Sequence, residues 1–154
     1  MAKGEYYKGQ YIPENKEKCL NIQIQKQYPI FRSSYERKFF YWLDNNANVI
    51  RWGSEIIKVP YIYAVDHRKH NYYTDIYCEI VDKSGDTKKF LIEIKPSSQT
   101  IAPKKPKINN RKAVRRYVYE MKRYIQNQNK WKAARAFANS NNMEFKIITE
   151  KDLF

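Results

Sequence analysis

Cysteine and histidine are scarce, with two of each among 154 residues. Cys19 and Cys78 cannot found a disulfide framework, and with His67 and His70 they do not by themselves complete a zinc site. No apolar run approaches the roughly 18 residues of a membrane span, and the opening MAKGEYYKGQ lacks the apolar segment of a secretory leader. No Gly-rich phosphate loop occurs, so nucleotide hydrolysis has no support. No internal repeat is visible. Acidic residues are outnumbered, 16 against 30 Lys plus Arg, which leaves a net charge of +14. These absences leave a soluble, basic, intracellular domain as the expectation. A length of 154 residues suits one compact unit.

Aromatic residues are abundant. Fourteen Tyr, seven Phe and three Trp are too many for a disordered polycation. Cations meet phosphate and rings stack on bases, so a basic, aromatic globule has the composition of a nucleic-acid binder. A packed core inside a charged coat is the plainer alternative.

Residues 1–30, with Tyr6, Tyr7 and Tyr11, show neither helical nor strand periodicity and read as an N-terminal arm, wrapping a partner or the body. Residues 31–154 read as the domain proper. A helix is expected from Ser34 to Asp44, with Tyr35, Phe39, Trp42 and Leu43 on one face. Strands are expected at Val49–Trp52 and at Glu55–Tyr63, the second bent or at an edge because of Pro60. Tyr72–Val81 and Phe90–Lys95 both alternate. Residues 96–110 hold three prolines and three lysines and read as a loop. Two helices are expected after it, about Arg111 to Ile125 and Lys130 to Ala138. The first carries an apolar stripe of Val114, Tyr117, Val118, Met121 and Ile125, and the second buries Trp131, Ala134 and Ala138. A last strand holds Phe145, Ile147 and Thr149. The order fits a single α/β domain with a mixed central β-sheet flanked by helices.

The hairpin between the two alternating segments sets a register. A three-residue loop, Lys83-Ser84-Gly85, puts Gly85 at the left-handed position and pairs Asp82 with Asp86. Counting back, Tyr77 faces Leu91 and Asp75 faces Glu93, with Lys95 on the same face as Glu93. Any odd slip separates the two acids. Opposed carboxylates repel and cost the sheet stability unless a hard cation lies between them. Mg²⁺ takes oxygen ligands of this kind, and Ile94 offers a backbone carbonyl nearby. Lys95 adds a side-chain amine able to position an attacking water or, in its neutral form, to deprotonate it. The arrangement suits phosphodiester hydrolysis. Against it, acids on strands often simply face solvent, and Asp-x17-Glu-x-Lys is a weak pattern alone.

Glu36 is a third acid with two readings. It lies on the inner flank of the first helix with Phe40 and Leu43, and it also completes a capping box with Ser33. Lys104, Lys105 and Lys107 in the loop, with Arg111, Lys112, Arg115 and Arg116 on the helix, are natural phosphate contacts. Arg32, His70 and Lys130 complete the candidate DNA-binding set, although a histidine in a Lys/Arg-rich loop is often merely solvated. No base-reading element is apparent, so sequence-independent backbone binding is expected. Cys78 faces the core and reads as packing.

Glu36, Asp75 and Glu93-Ile94-Lys95 together resemble the PD-(D/E)xK nuclease type. More specifically, the chain resembles the head completion nucleases of T4-like bacteriophages, relatives of the TnsA transposon endonuclease. The matching stretches are Tyr7 to Pro13, Phe31 to Phe39, His70 to Tyr77, Ile92 to Pro96 with Gln99-Thr100, and Asn127 to Ala138 followed by Ile148-Thr149-Glu150. The resemblance implies a restriction-endonuclease-like fold, Asp75 and Glu93 as metal ligands with the Ile94 carbonyl, Lys95 as catalytic lysine, and Glu36 as the helical acid and a further candidate ligand. It implies Mg²⁺, with Mn²⁺ substituting. It also implies cleavage of packaged DNA late in head maturation, before tail joining, in the host cytoplasm or the virion. DNA and phage head, portal or neck proteins would be its partners, with no membrane; a single site cutting one strand at a time makes a homo-oligomer a candidate. A structural head–tail joining protein that binds DNA ends, and a TnsA-like transposase subunit, are the competing functions. Thr74 stands where the fold's name residue is proline, a position expected mainly to shape backbone.

Overall fold

A four-stranded sheet positions everything else. The computed structural model describes residues 8–153, so Tyr6 and Tyr7 of the arm lie outside the described residues. The sheet order is β3 (Val49–Ser54), β6 (Ile76–Val81), β7 (Thr87–Ile94) and β8 (Glu144–Ile148). The first three are antiparallel, and β8 joins β7 in parallel, so the sheet is mixed as expected. Helix α2 (Ser34–Asn45) covers one face and helix α3 (Arg111–Ser140) the other.

The hairpin register holds. Asp82 N–H donates to the Asp86 carbonyl at 2.8 Å, Gly85 N–H to Asp82 at 3.1 Å, and Gly85 has φ +86°. Only a residue without Cβ takes that conformation at little cost. Tyr77 pairs with Leu91 and Ile76 with Ile92.

The expected strand Tyr72–Val81 is instead two strands in two sheets. Alternation runs through Thr74 and Asp75, but the chain breaks there. β5 (Arg68–Tyr73) pairs only with β4 (Lys58–Tyr63) in a separate antiparallel ribbon, while Ile76 onward enters the main sheet. Period two reports side-chain alternation and is blind to a change of partner. Both strands of this ribbon are edges, which is where Pro60 can sit.

Apolar residues of α2, Phe39, Phe40 and Leu43, meet Trp52, Ile76, Cys78, Ile92 and Ile94 in the main core. Phe40 takes the inward place expected for Trp42, which is 44% exposed and stacks on Phe39. Burial pushes the Cys78 thiol up to about 12, in keeping with packing rather than reactivity.

The described part of the lead-in wraps the body and carries structure of its own. β1 (Gly9–Gln10) pairs with β2 (Ile30–Phe31), and α1 (Leu20–Gln25) packs near β3. Buried Asp44 accepts from Tyr11 Oη and the backbone N–H groups of Glu14 and Asn15. Lys18 Nζ meets the Asp44 and Asn46 carbonyls at the end of α2, where a cation also suits the helix dipole.

The two expected C-terminal helices are one helix of 30 residues. Gln126–Asn129 contains no Gly or Pro to end it, and two of its polar side chains have partners on the ribbon and its turn. Gln126 donates to Tyr61 Oη, and Asn129 accepts from Ala64 N–H. The buried residues of α3 are Asn127, Trp131, Ala134 and Ala138, all in its second half. The expected stripe is not buried: Val114 and Val118 are exposed, and Tyr117, Met121 and Ile125 are half-buried. A helix this long spans about 45 Å, more than strands of five to eight residues can cover, so its first half runs past the sheet.

Candidate active site

Continuing the β6–β7 register by one residue brings Asp75 opposite Glu93. Glu93 points to the α3 face, away from Ile92 and Ile94, and is buried. Ile94 N–H donates to Asp75 Oδ2 at 2.8 Å. In an antiparallel ladder the N–H and C=O of one residue face the same neighbour, so the Ile94 carbonyl is turned toward the same edge. Lys95 Nζ lies 3.3 Å from Glu93 Oε1. The Lys95 backbone is pinned by its N–H to Ile148 at 2.9 Å, and the turn beyond it by Glu150, which accepts from the Ser97 N–H and hydroxyl.

Burial raises the Asp75 carboxyl well above its ordinary 3.8, and the charges of Glu93 and then Glu36 push the same way; the Ile94 N–H and Lys95 oppose them. Repulsion of this kind favours a cation between the acids. Two carboxylates and a backbone oxygen fit the oxygen-ligand preference of Mg²⁺, which completes its shell with water or substrate. Among the described residues no three His, Cys, Asp or Glu side chains gather into a metal cluster, so Asp75 and Glu93 form the carboxylate pair by themselves.

The capping reading of Glu36 holds in part, and its side chain is buried on the inner flank of α2. Ser33 caps α2 by accepting from Glu36 N–H, and the Glu36 carboxylate accepts from Arg32 N–H at 2.8 Å and from the Ser33 hydroxyl. The return bond goes to Arg32 rather than to Ser33 N–H. The buried carboxyl is raised, first by desolvation, and its charge reaches Asp75.

Cations flank the acids. Arg32 pairs with Glu55 at 2.9 Å and also feels Glu36 and Asp75. Lys130 comes from α3; burial lowers its pKa, while Glu93 and Asp75 act to raise it. His70 is engaged elsewhere, paired with Asp66 at 2.8 Å and stacked on Tyr61. Lys104, Lys105 and Lys107 are exposed in the loop, and Arg111, Lys112, Arg115 and Arg116 are exposed on the free half of α3. Lys112, Arg116, Arg123 and Lys130 follow at intervals of four, seven and seven residues. Helical periodicity places them on one flank leading to the acids, about 27 Å long.

Three contributors escaped the sequence reading: Glu55, Glu150 and Tyr72. Tyr72 Oη donates to Glu93 Oε2 across two sheets. Only the break at Thr74–Asp75 brings that ribbon residue beside β7, and no local pattern signals it. Thr74 itself donates its N–H to Ile57 at 3.2 Å, a bond a proline would lack, and its buried hydroxyl has no hydrogen-bond partner among the described residues.

Residues 46–150 match the family described as TnsA-like endonuclease N terminal. The chain is also 37% identical over 147 residues to the head completion nuclease of Enterobacteria phage T4, covering 96% of this chain and 93% of that protein. With a match of that extent around the Asp75–Glu93–Lys95 constellation, the chain belongs to the TnsA-like endonuclease family and has its restriction-endonuclease-like fold.

Proposed function

We propose that this protein is a Mg²⁺-dependent deoxyribonuclease that hydrolyses phosphodiester bonds with little sequence preference, acting on packaged phage DNA during head completion, before tail joining. The nuclease role follows the family and the phage relative named for it. What carries the reading is the Asp75–Glu93 pair held on one side of the sheet with Lys95 against Glu93.

Asp75, Glu93 and the Ile94 carbonyl would hold the cation, with Glu36 shaping the field around Asp75. A bound hard cation supplies Lewis-acid charge against a phosphoryl oxygen. Lys95, paired as a cation with Glu93, would orient the attacking water and meet the negative charge developing on the phosphoryl oxygens, with the water's proton passing to solvent. Arg32 and Lys130 would hold the phosphates on either side. The loop lysines Lys104, Lys105 and Lys107 and the basic flank of α3 would track the backbone, a contact that carries no sequence information. Phage head, portal or neck proteins are the partners of this reading, in the host cytoplasm during assembly or in the virion. One site cuts one strand per event, so duplex cleavage calls for self-association or sequential nicking.

Supercoiled plasmid and linear duplex, incubated with Mg²⁺, Mn²⁺ or EDTA, test the proposal. Cleavage should require the metal, and Lys95→Ala and Asp75→Ala should each lower it by about 10²–10⁴-fold while duplex binding persists. Binding without cleavage by the metal-loaded wild type would instead favour a structural protein of the head–tail joint.

A further inference from the structure

Tyr72 is 5% exposed, and its hydroxyl is used on one oxygen of Glu93. The other oxygen faces Lys95. A carboxylate has about four lone-pair positions, so these contacts fix the plane of the Glu93 side chain and leave lone pairs for a further ligand. The ring of Tyr72 has a second occupant: Lys130 Nζ lies 5.5 Å from its centroid and 6.0 Å from that of Tyr61. Among the described residues no carboxylate forms an ion pair with Lys130, although it lies within the fields of Glu93, Asp75 and Lys95. An ammonium seated on ring faces keeps its N–H groups for another acceptor.

We propose that Tyr72 is the positioning residue of this site, fixing Glu93 with its hydroxyl and seating Lys130 on its ring, so that a metal-binding carboxylate and a phosphate-binding cation keep a set spacing. The proposal rests on the nuclease reading. Tyr72 reaches Glu93 from a different sheet, and Lys130 reaches the ring from α3, so three elements converge on one side chain. Hydrogen-bond partners that orient metal ligands commonly matter for metal affinity as much as some ligands do. A lysine held beside the acids would contribute to phosphate binding and would leave metal binding to them.

The two halves of this bracket separate experimentally. Tyr72→Phe keeps the ring and the Lys130 seat but removes the hydroxyl. Lys130→Met keeps the stem and removes the charge, and Lys130→Arg restores it. Mn²⁺ affinity is measured by calorimetry on the full chain without DNA, and duplex affinity in EDTA over a range of salt, with thermal melting to verify folding. Tyr72→Phe should weaken Mn²⁺ binding by about 10-fold or more and shift cleavage to higher Mn²⁺, with duplex affinity unchanged. Lys130→Met should weaken duplex binding and lower the salt slope by about one, without weakening Mn²⁺ binding, and Lys130→Arg should recover the duplex affinity. Wild-type Mn²⁺ affinity in a folded Tyr72→Phe variant overturns the proposal and leaves the nuclease reading standing. Absence of both Mn²⁺ binding and cleavage in the wild type overturns the two together.

Discussion

Strand β7 has two faces with opposite surroundings. Ile92 and Ile94 point into the apolar core beneath α2. Glu93, between them, points toward α3 into a polar enclosure of Asp75, Lys95, Tyr72 and Lys130. Both faces are buried, yet burial favours packing on one and raises the cost of charge on the other. The apolar face supplies the stability that lets the charged face persist. Apolar packing and buried charge therefore divide across one sheet, and substitutions should separate along the same line.

The largest effect is expected on the apolar face. Phe40 is fully buried in the main core, and Phe40→Ala should cost about 3–5 kcal/mol in denaturant unfolding, with cleavage per folded molecule close to wild type. On the charged face Asp75→Asn should do the reverse, abolishing cleavage while making the metal-free protein more stable at neutral pH. The sign follows from linkage. Asp75 is raised in the folded chain, so between its ordinary 3.8 and the higher folded value the native state holds a proton that the unfolded state has released. Metal-free stability therefore falls as pH rises through that window. The variant should lose this fall, and Mg²⁺ should raise the melting temperature of the wild type only; melting curves at several pH values check both.

Smaller effects lie where the two faces meet. Ser33→Ala removes the cap of α2 and one donor to Glu36, and should cost about 1 kcal/mol. Thr74→Val, which removes a buried hydroxyl without a hydrogen-bond partner among the described residues, should change stability by less than about 1 kcal/mol, in either direction. A large loss in that variant would show that the hydroxyl has a role in the strand break beside Asp75.

Much of this was legible in residue order because it depends on local geometry. The loop Lys83-Ser84-Gly85 determines a turn, the turn determines the register, and the register puts Asp75 against Glu93 with Lys95 on the same face. The Ser33 cap of α2 and the inward helical face that holds Glu36 are also short-range patterns. What escaped depends on partners distant in sequence. Alternation through Tyr72–Val81 could not reveal that β5 leaves the main sheet, and so could not bring Tyr72 to Glu93. The polar run Gln126–Asn129 looked like a break until the ribbon supplied partners for Gln126 and Asn129.

The sequence by itself determined the charge, the mixed α/β order and the acid–acid–lysine spacing, because turn chemistry and period two act within a few residues. Tertiary structure decided which surfaces are covered and which side chains support the acids. It left the first half of α3 beyond the sheet, engaged His70 with Asp66, and brought Tyr72, Lys130, Arg32 and Glu150 around the strand ends that hold Asp75 and Glu93. Those outcomes require strands and helices from separate parts of the chain to pack together, and no short-range pattern encodes that packing.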